Sequence, residues 1–478
     1  MKTQFNYISE SEVLTMTEKI RNFFDNVKGK KVAFCGIGIS NLPLIKKMVD
    51  YGADVIACDA RDFEKLGENA IIAEQMGAKL CLGKDYLNNL QADIVFRTPG
   101  MRFYSDELNS LRSSGTVITS EMEVFFDLCP CKIIAITGSD GKTTTTTIIS
   151  EMLKEEGRTV HLGGNIGSPL LPKIEEISCN DIAVVELSSF QLISMRVSPN
   201  IAVVTNLAPN HLDIHKDMQE YIDSKKNIFL HQNGFGKAIL NADNGITNDF
   251  ATDVRGRCAK FSIKDSVANG AFLDGTTIKY NDYGTVTDIM DISDIKIAGM
   301  HNVENYLAAI SAVWCLASVE NIIKVARNFS GVPHRAEFVR EFNGVMYYND
   351  SIASSPTRTA CGTLSLYKDK IILIAGGYDK NIPYAPLGPV ICDKVKVLIL
   401  MGATALKIEQ AVKNSLNYAQ NNPAIIYAND MYDAVQKARE IAVSGDIVSL
   451  SPASASFDLY KNFEERGNHF KSIVNKLN

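Results

Sequence analysis

The sequence lacks three features that would place it in a specialised class of protein. No run of roughly 18 apolar residues occurs in the 478-residue chain, so we expect no membrane-spanning helix. The opening MKTQFNYISESEVL has no apolar segment of signal-peptide length. The ten cysteines form no paired framework, and the closest pair, Cys129 and Cys131, lacks the second pair that a zinc site needs. These absences predict a protein of the reducing cytoplasm with buried free thiols.

Positive charge is also scarce. The 55 acidic residues outnumber the 49 basic ones, giving a formal net charge of -6. Because binding to nucleic acid favours a basic surface, we predict no nucleic-acid partner. A hydrophobic content of 46% with 22% charged residues is typical of globular proteins, and the length predicts about three domains. No solenoid repeat is evident.

The strongest positive signal is IIAITGSDGKTTTTT, from Ile133 to Thr147. An apolar strand runs into a glycine turn ending in Gly-Lys-Thr, and a helical pattern follows. Backbone N–H groups and the positive end of the helix dipole would face a phosphate there. Ile136 stands where the common P-loop has its first glycine, so the turn is tighter than usual. We predict a Mg-ATP or Mg-GTP site formed by Gly138, Ser139, Asp140, Gly141, Lys142, Thr143 and Thr144.

A βαβ pattern precedes this loop. The strand pattern KVAFCG at 31–36 is followed by a helical stretch and by a second strand, DVIACD, that ends at Asp59. Gly36 and Gly38 form a partial dinucleotide fingerprint, in which Asn41 takes the place of the third glycine. A nicotinamide site, another nucleotide site and a plain tight turn all remain open from these residues alone.

Strand and helix patterns alternate again after residue 133 and once more after residue 333. We therefore predict an α/β fold of three domains: a Rossmann-like N-terminal domain (1–120), a central P-loop ATPase-like domain (121–331) and a C-terminal Rossmann-like domain (332–478). Between Val254 and Ile295, short β-like runs alternate with Gly, Asp and Asn, which predicts a small antiparallel insertion.

Six further motifs accompany the phosphate loop. They are GGNIG (163–167), ELSSFQL (186–192), NHLDIH (210–215), YIDSK (221–225), GMHNVEN (299–305) and GVPHR (331–335). Together they resemble the Mur ligase family over nearly the whole chain. The segment SLSPASASFDLYKNFEERGNHF (449–470) is similar to the member that adds D-glutamate to UDP-N-acetylmuramoyl-L-alanine in peptidoglycan precursor synthesis.

The resemblance implies an ATP-dependent ligase that forms an amide through an acyl phosphate, and we expect the chain to be a monomer. It also implies that Lys142 and Thr143 hold the phosphates and one Mg²⁺, and that Glu186 is a carboxylate ligand of that ion. For His211 it implies a second-metal and substrate role. Without the resemblance, Glu186 would be an ordinary carboxylate at the start of a helix, and His211 a hydrogen-bonded loop histidine.

The family also carries a carbamylated lysine, which the resemblance places at Lys225. On its own, a lysine in DMQEYIDSKKNIF would be read as solvated surface. Carbon dioxide added to a neutral amine converts a cation into an anion that can bind Mg²⁺. The neighbouring Lys226 is the competing register, and the four-residue spacing from Tyr221 favours Lys225.

The remaining site residues follow from the resemblance. Asn302, Asn305, Arg335 and Asp350 match positions for the adenine, phosphates and ribose, although helix capping and surface ion pairs would otherwise explain them. Gly36, Gly38, Ile39 and Ser40 match the uridine diphosphate site, and Asp59 and Arg61 lie near its uracil end. Asn165 matches a contact with the muramoyl-alanine portion. Lys380, Ser456 and Phe463 match the residues that receive D-glutamate.

Two positions depart from the family pattern. Ile352 replaces a lysine that would support the acidic amino acid, so Lys380 or Arg358 would have to compensate. Asp140 replaces the commoner asparagine of the phosphate loop, and its charge needs a nearby cation.

Three rival functions remain. One is a related ligase that uses another amino acid, the second a nicotinamide-dependent oxidoreductase, and the third a nucleotide-gated binding protein that forms no bond. The oxidoreductase would leave GSDGKTT without a purpose.

Overall fold

The computed structural model describes residues 10–38, 41–88, 90–209, 214–297, 299–379, 382–419 and 422–478. The chain divides into two compact units, Met1–Phe329 and Ser330–Asn478. Both are built on parallel sheets flanked by helices, so the predicted α/β fold class is confirmed. Among the described residues, no helix combines the length and the apolar composition needed to cross a membrane.

The first unit opens with a five-stranded parallel sheet. Its elements are α1 (Glu10–Asp25), β1 (Lys31–Cys35), α2 (Leu42–Asp50), β2 (Asp54–Asp59), α3 (Phe63–Leu66), α4 (Glu68–Gln75), β3 (Lys79–Leu82), β4 (Ile94–Arg97), α5 (Asp106–Ser113), β5 (Val117–Thr119) and α6 (Glu121–Leu128). The strand order is β3-β2-β1-β4-β5. The order reverses beside β1, and crevices at such switch points bind ligands in open α/β sheets. Gly36 follows β1, and Asp59 ends the neighbouring β2.

A six-stranded parallel sheet follows in the same unit. Its elements are β6 (Lys132–Thr137), α7 (Lys142–Glu155), β7 (Val160–Gly164), a 3-10 turn (Leu171–Glu176), β8 (Ile182–Glu186), α8 (Ser189–Leu192), β9 (Ile201–Val204), α9 (Met218–Leu230), β10 (Lys237–Asn241), α10 (Gly245–Asp249), a 3-10 turn (Phe250–Asp253) and β11 (Arg257–Phe261). The order is β11-β10-β9-β6-β8-β7. The apolar runs of β6, β8 and β9 are buried because helices cover both faces of a parallel sheet.

A small antiparallel sheet completes the first unit. It contains β12 (Asn269–Asp274), β13 (Thr277–Asp282) and β14 (Thr285–Asp291), and it is followed by a 3-10 turn (Ile292–Asp294), α11 (Met300–Val313) and α12 (Val319–Asn328). The insertion predicted between Val254 and Ile295 is therefore present, but it is shorter than expected. Strand β11 lies within that range and instead pairs in parallel with β10.

The two large sheets of the first unit share one hydrophobic core. Val32 and Phe34 of β1 belong to the same buried cluster as Ala135 of β6 and Val185 of β8. Glu121 joins the sheets through polar contacts. Its buried carboxylate accepts hydrogen bonds from the backbone N–H groups of residues 170 and 171, at 3.0 and 2.9 Å. The halves of this unit are consequently packed as one body.

The second unit contains one six-stranded sheet. Its elements are β15 (Glu337–Phe342), β16 (Val345–Asn349), α13 (Pro356–Arg358), a π-helical turn (Thr359–Thr363), a 3-10 turn (Leu364–Leu366), β17 (Ile371–Ala375), α14 (Leu387–Lys394), β18 (Val395–Leu400), α15 (Ala405–Lys413), β19 (Ala424–Tyr427), α16 (Met431–Ile441), β20 (Ile447–Leu450) and α17 (Phe463–Asn475). The order is β15-β16-β20-β17-β18-β19, and only the β15–β16 pair is antiparallel.

Candidate active site

The glycine turn between β6 and α7 is a tight, strongly shaped loop. Gly138 has a φ of +153° and Gly141 a φ of +76°, conformations that side-chain-bearing residues rarely adopt. A Cβ on Gly138 would overlap the Thr205 hydroxyl, and one on Gly141 would overlap the Asn305 side-chain oxygen. The backbone can approach its neighbours this closely only because both positions lack a side chain.

Residues after β9 fix the shape of this loop. The N–H of Ser139 donates to the Asn206 carbonyl, and the N–H of Asp140 donates to Asn206 Oδ1, both at 2.9 Å. The Thr205 hydroxyl donates to the Asp140 carbonyl at 2.6 Å, and the Ser139 hydroxyl lies 2.9 Å from the Tyr221 hydroxyl. The sequence analysis missed Thr205 and Asn206. Their signal was the polar pair that ends the apolar run IAVVTN.

Lys142 lies at the start of α7 and folds back over the loop. Its Nζ donates to the carbonyls of Gly138 and Ser139, each at 2.9 Å. Thr143 and Thr144 follow in the same first turn, where helix N–H groups and the dipole favour an anion. The predicted loop residues are thus contiguous in space and suited to a phosphate.

Glu186 ends β8 directly beside β6, where it pairs in register with Ile136. Its side chain is 1% exposed, and Oε1 accepts a hydrogen bond from the Asn165 amide at 2.9 Å. Oε2 has no hydrogen-bond partner among the described residues. Because buried polar atoms are rarely left unsatisfied, this oxygen fits a role as a cation ligand.

A metal ion bound by Glu186 would need further ligands that are not ordinary Asp, Glu, His or Cys side chains. Within the described residues, no group of three or more His, Cys, Asp or Glu side chains is arranged to hold a metal ion. A divalent cation at Glu186 would therefore need hydroxyl, phosphate or modified side-chain ligands. His211, the predicted second-metal residue, lies outside the described residues.

Lys225 of α9 points at the phosphate loop. It is 2% exposed, and its Nζ donates to the Thr137 hydroxyl at 3.0 Å and the Gly138 carbonyl at 2.8 Å. Burial, reinforced by the charge of Lys142, holds the pKa of Lys225 well below its ordinary value, although Glu186 acts in the opposite direction.

The neighbouring lysine faces away. Lys226 pairs with Asp253 at 2.6 Å and lies over the Phe250 ring. The structure therefore places Lys225, not Lys226, against the loop.

A buried carboxylate, that of Asp59, lies beside the point where the strand order of the first sheet reverses. Asp59 is 6% exposed, and its carboxylate accepts bonds from the Ile37 N–H at 3.0 Å and from Arg61 Nε and Nη2 at 2.9 and 2.8 Å. Burial alone would raise the pKa of Asp59, but the Arg61 guanidinium and the backbone N–H donors hold it below its usual value. Asn41 donates to the Gly36 carbonyl at 2.8 Å, so it closes the turn where a third glycine was missing.

Two of the remaining predicted residues of the first unit, Asn302 and Asn305, lie close to the phosphate loop. Asn305 of α11 accepts a bond from the Thr145 hydroxyl at 3.2 Å and donates to Asn302 at 3.2 Å. This places both asparagines at the N-terminal end of α7. Gly38 follows the turn after β1, whereas Ile39 and Ser40 are not among the described residues.

In the second unit, predicted residues lie around the carboxyl ends of β16 and β20. Asp350 follows β16 and is buried, with its carboxylate bonded to the Thr363 and Ser451 hydroxyls and the Ala336 N–H. Burial raises the pKa of Asp350. Both carboxylate oxygens of Asp350 therefore accept hydrogen bonds from groups of the second unit.

Two of the three residues predicted to receive D-glutamate lie in the described part of the second unit. Ser456 is buried after β20. Phe463 begins α17, and its carbonyl accepts a bond from the Ser351 hydroxyl at 2.8 Å. Arg335, which was predicted for the ATP site, is partly buried in the segment that precedes β15. Lys380 lies outside the described residues.

Sequence comparisons agree with this architecture. The chain matches the Mur ligase middle domain over residues 136–313 and the Mur ligase glutamate ligase domain over residues 334–454. Together with the phosphate loop and the parallel sheets, these matches define the class: the chain belongs to the Mur ligase family, whose members are ATP-dependent amide-forming ligases that use Mg²⁺.

Individual relatives narrow the comparison. The chain is 53% identical to the UDP-N-acetylmuramoylalanine--D-glutamate ligase of Acetivibrio thermocellus, over 97% of this chain and 100% of that protein. It is 49% identical to the ligases of the same name from Ruminiclostridium cellulolyticum and Clostridium botulinum, again over 97% of this chain and 100% of theirs.

Solved structures share the fold at much lower identity. UDP-N-acetylmuramate-alanine ligase MurC of Thermotoga maritima aligns with a TM-score of 0.53 and 16% identity, covering 93% of this chain and 99% of that one. A pseudomurein peptide ligase type C of Methanothermus fervidus aligns with a TM-score of 0.53 and 19% identity, covering 94% of this chain and 100% of that one.

Proposed function

We propose that this chain joins D-glutamate to UDP-N-acetylmuramoyl-L-alanine at the expense of ATP, in cytoplasmic peptidoglycan precursor synthesis. The observation that carries the proposal is the group of residues around the phosphate loop. Lys142 and Lys225 both hydrogen-bond the Gly138 carbonyl, and Glu186, with an unsatisfied oxygen, ends the strand beside that loop. The 49–53% identity to D-glutamate ligases over 97% of the chain supports the choice of substrates.

In the proposed reaction, the terminal phosphoryl group of ATP is transferred to the alanine carboxylate. The amine of D-glutamate then displaces phosphate from the acyl carbon. Lys142 and the N–H groups at the start of α7 hold the phosphates, assisted by Gly138, Ser139, Asp140, Gly141 and Thr144. Bound Mg²⁺ would withdraw charge from the phosphoryl oxygens, and the residues suited to hold it are Thr143, Glu186, His211 and Lys225.

Lys225 would serve as a ligand in its carbamylated form. The neutral amine adds to CO₂, a new N–C bond forms and one proton is released, so an anionic carbamate replaces a cation. Burial favours the neutral amine that this addition needs, because it disfavours the charged form. A carbamate would also supply oxygen ligands for Mg²⁺. Such ligands are needed because no group of three or more His, Cys, Asp or Glu side chains of the described residues is arranged to hold a metal ion.

The remaining assignments extend the same proposal. The uracil end of the nucleotide substrate is bound by Asp59 and Arg61. Its diphosphate is bound by Gly36, Gly38, Ile39 and Ser40, and its muramoyl-alanine portion contacts Asn165. Asn302, Asn305, Arg335 and Asp350 belong to the ATP site, where Asp350 must exchange an internal hydrogen bond for the ribose. Lys380, Ser456 and Phe463 receive D-glutamate. The proposal also includes the domain division at residues 120/121 and 331/332 and a monomeric enzyme without a nucleic-acid partner.

A product assay tests the proposal. Purified full-length protein is incubated with UDP-N-acetylmuramoyl-L-alanine, Mg-ATP and a panel of D- and L-amino acids, and both phosphate and the nucleotide-linked product are measured. We expect phosphate release only when both UDP-N-acetylmuramoyl-L-alanine and an amino acid are present. Among the amino acids, D-glutamate should be used best. Preference for L-lysine would contradict the substrate assignment. Binding of ATP without any product would indicate the non-catalytic alternative.

A further inference from the structure

Arg466 is a buried arginine that no part of the proposed function uses. It lies in the first turn of α17 and is 2% exposed. Its Nε donates to the Ser351 hydroxyl at 3.0 Å and its Nη2 to the Ser351 carbonyl at 2.9 Å. Its Nη1 donates to the carbonyls of Ser454 and Ala455, at 3.1 and 2.9 Å. One guanidinium thus organises two separate loops.

These loops belong to neighbouring parallel strands. Ser351 follows β16, and Ser454 and Ala455 follow β20. A third segment is involved, because a Cβ on Gly377, just after β17, would lie 3.1 Å from Arg466 Nη1. Strands β16, β20 and β17 are adjacent in the sheet, and the crevice at the carboxyl ends of such strands is where α/β sheets bind ligands.

The charge of Arg466 is not balanced by an ion pair. Across the described part of the second unit, no Asp or Glu oxygen lies within ion-pair distance of its guanidinium. Burial lowers the pKa of Arg466 to about 10, although Asp458 and Tyr460 oppose the shift. The side chain also begins in the first turn of a helix, where the dipole disfavours a cation. A buried cation under these conditions is costly unless an anion approaches it.

We propose that Arg466 is a positioning and specificity residue for the acceptor: it holds the loops after β16 and β20, and its unbalanced charge favours an amino acid with a second carboxylate. The inference rests on the proposed function and extends it. Ser456 adjoins Ala455, and the Phe463 carbonyl is bonded to the same Ser351 that Arg466 holds. Arg466 therefore supports the loops of both described residues that the sequence assigned to D-glutamate, and its guanidinium contacts Ser351, the residue before Ile352.

Two substitutions separate the charge from the hydrogen-bonding fork. In full-length Arg466→Gln, we expect the preference for D-glutamate over D-glutamine, measured as the ratio of their kcat/KM values, to fall at least tenfold. If D-glutamine is not a substrate, its inhibition constant against D-glutamate replaces its kcat/KM value. In Arg466→Lys, the charge remains but one ammonium cannot replace the planar fork. We expect this variant to keep the preference within about threefold while kcat falls roughly tenfold. The KM for ATP should stay within about twofold of wild type in both variants.

Several outcomes would overturn the inference. Equal loss for both acceptors in Arg466→Gln would reduce Arg466 to a structural residue, and an unchanged kcat in Arg466→Lys would remove its positioning role. If Arg466→Gln does not fold, Arg466→Lys decides alone: a lost preference there contradicts the charge effect and a kept preference with lowered kcat supports it. Failure of wild type to use D-glutamate would instead refute the proposed function.

Discussion

At the scale of single residues, Lys225 is the most unusual side chain of the candidate site. A lysine that is 2% exposed loses most of its hydration. Two hydrogen-bond acceptors replace that hydration, and no carboxylate of the described residues forms an ion pair with the amine. Such an amine is easier to deprotonate than an exposed one, as the lowered pKa of Lys225 indicates. The environment that makes the cation costly thus favours the neutral amine that the proposed carbamylation requires.

Replacing Lys225 by alanine is expected to abolish most activity, because it removes the carbamate that would complete the metal site. Acetate should restore part of the loss by occupying the vacated ligand position. Steady-state assays with and without acetate measure both effects. Lys226→Ala is the matched control, since Lys226 pairs with Asp253 and should tolerate the change. Full activity in Lys225→Ala, or rescue at position 226 instead, would refute the assignment.

Lys142→Ala tests the phosphate loop itself. The expected result is a loss of turnover of at least about a hundredfold, because a charge that stabilises the transferring phosphoryl group is removed. Circular dichroism should remain unchanged. Lys154→Ala, in the last turn of the same helix, provides the control because Lys154 is exposed and its ammonium pairs with Glu151 of the same helix at 2.9 Å. Near-normal turnover of Lys142→Ala would exclude this loop from the reaction.

At the scale of secondary-structure elements, the sequence predicted those features that depend on residues close together in the chain. Apolar runs predicted the strands β1, β2 and β6, because parallel strands covered on both faces are continuously apolar. The alternation of strand and helix patterns after residues 133 and 333 predicted the two later parallel sheets. The glycine turn predicted the loop before α7. The fold class and the tight loop before α7 therefore followed from short segments.

Long-range contacts could not be predicted in the same way. Nothing in KNFEERG indicates which loops the guanidinium of Arg466 meets, and Asn206 reaches the phosphate loop only because β9 lies beside β6. The β-like run of β11 gave no sign that it joins the parallel sheet and not the antiparallel one. Such pairings depend on packing between segments far apart in the chain.

The loop before α7 should not tolerate any side chain at Gly138. Gly138→Ala forces a residue with a Cβ to a φ of +153° and against the Thr205 hydroxyl. We expect a destabilisation of about 1–3 kcal/mol from backbone strain, with loss of most activity. Urea unfolding and turnover measure the two effects. Gly234→Ala, where a Cβ meets open space, should leave both unchanged. Normal activity in Gly138→Ala would show that the loop can deform freely.

At the scale of the whole molecule, Glu121 makes the first unit sensitive to pH. Burial raises the pKa of Glu121 to about 7, and the N–H donors of residues 171 and 170 only partly offset this rise. Because the folded pKa exceeds the unfolded value of 4.5, the protonated carboxyl stabilises the fold at low pH. That stabilisation is lost as pH rises from about 4.5 to about 7.

Glu121→Gln should remove this dependence, because the neutral amide can accept the same two hydrogen bonds at every pH. Relative to wild type, the variant should gain up to about 3 kcal/mol of stability between pH 4.5 and 8. Urea unfolding across that range measures the gain, and hydrogen exchange at the amides of residues 170 and 171 reports the site directly. Glu18→Gln, on the exposed side of α1, is the control. Parallel pH curves for wild type and Glu121→Gln would contradict the prediction.

The shared core of the first unit also constrains how this chain can evolve. Val32 and Phe34 belong to the same buried cluster as Ala135 and Val185, so a change in one half of the cluster alters the surface against which the other half packs. A recombination breakpoint near residue 120 would bring together halves whose side chains never adapted to each other. We therefore expect a gene exchange to preserve the fold only when it replaces together the sheet that carries Asp59 and the sheet that carries the phosphate loop.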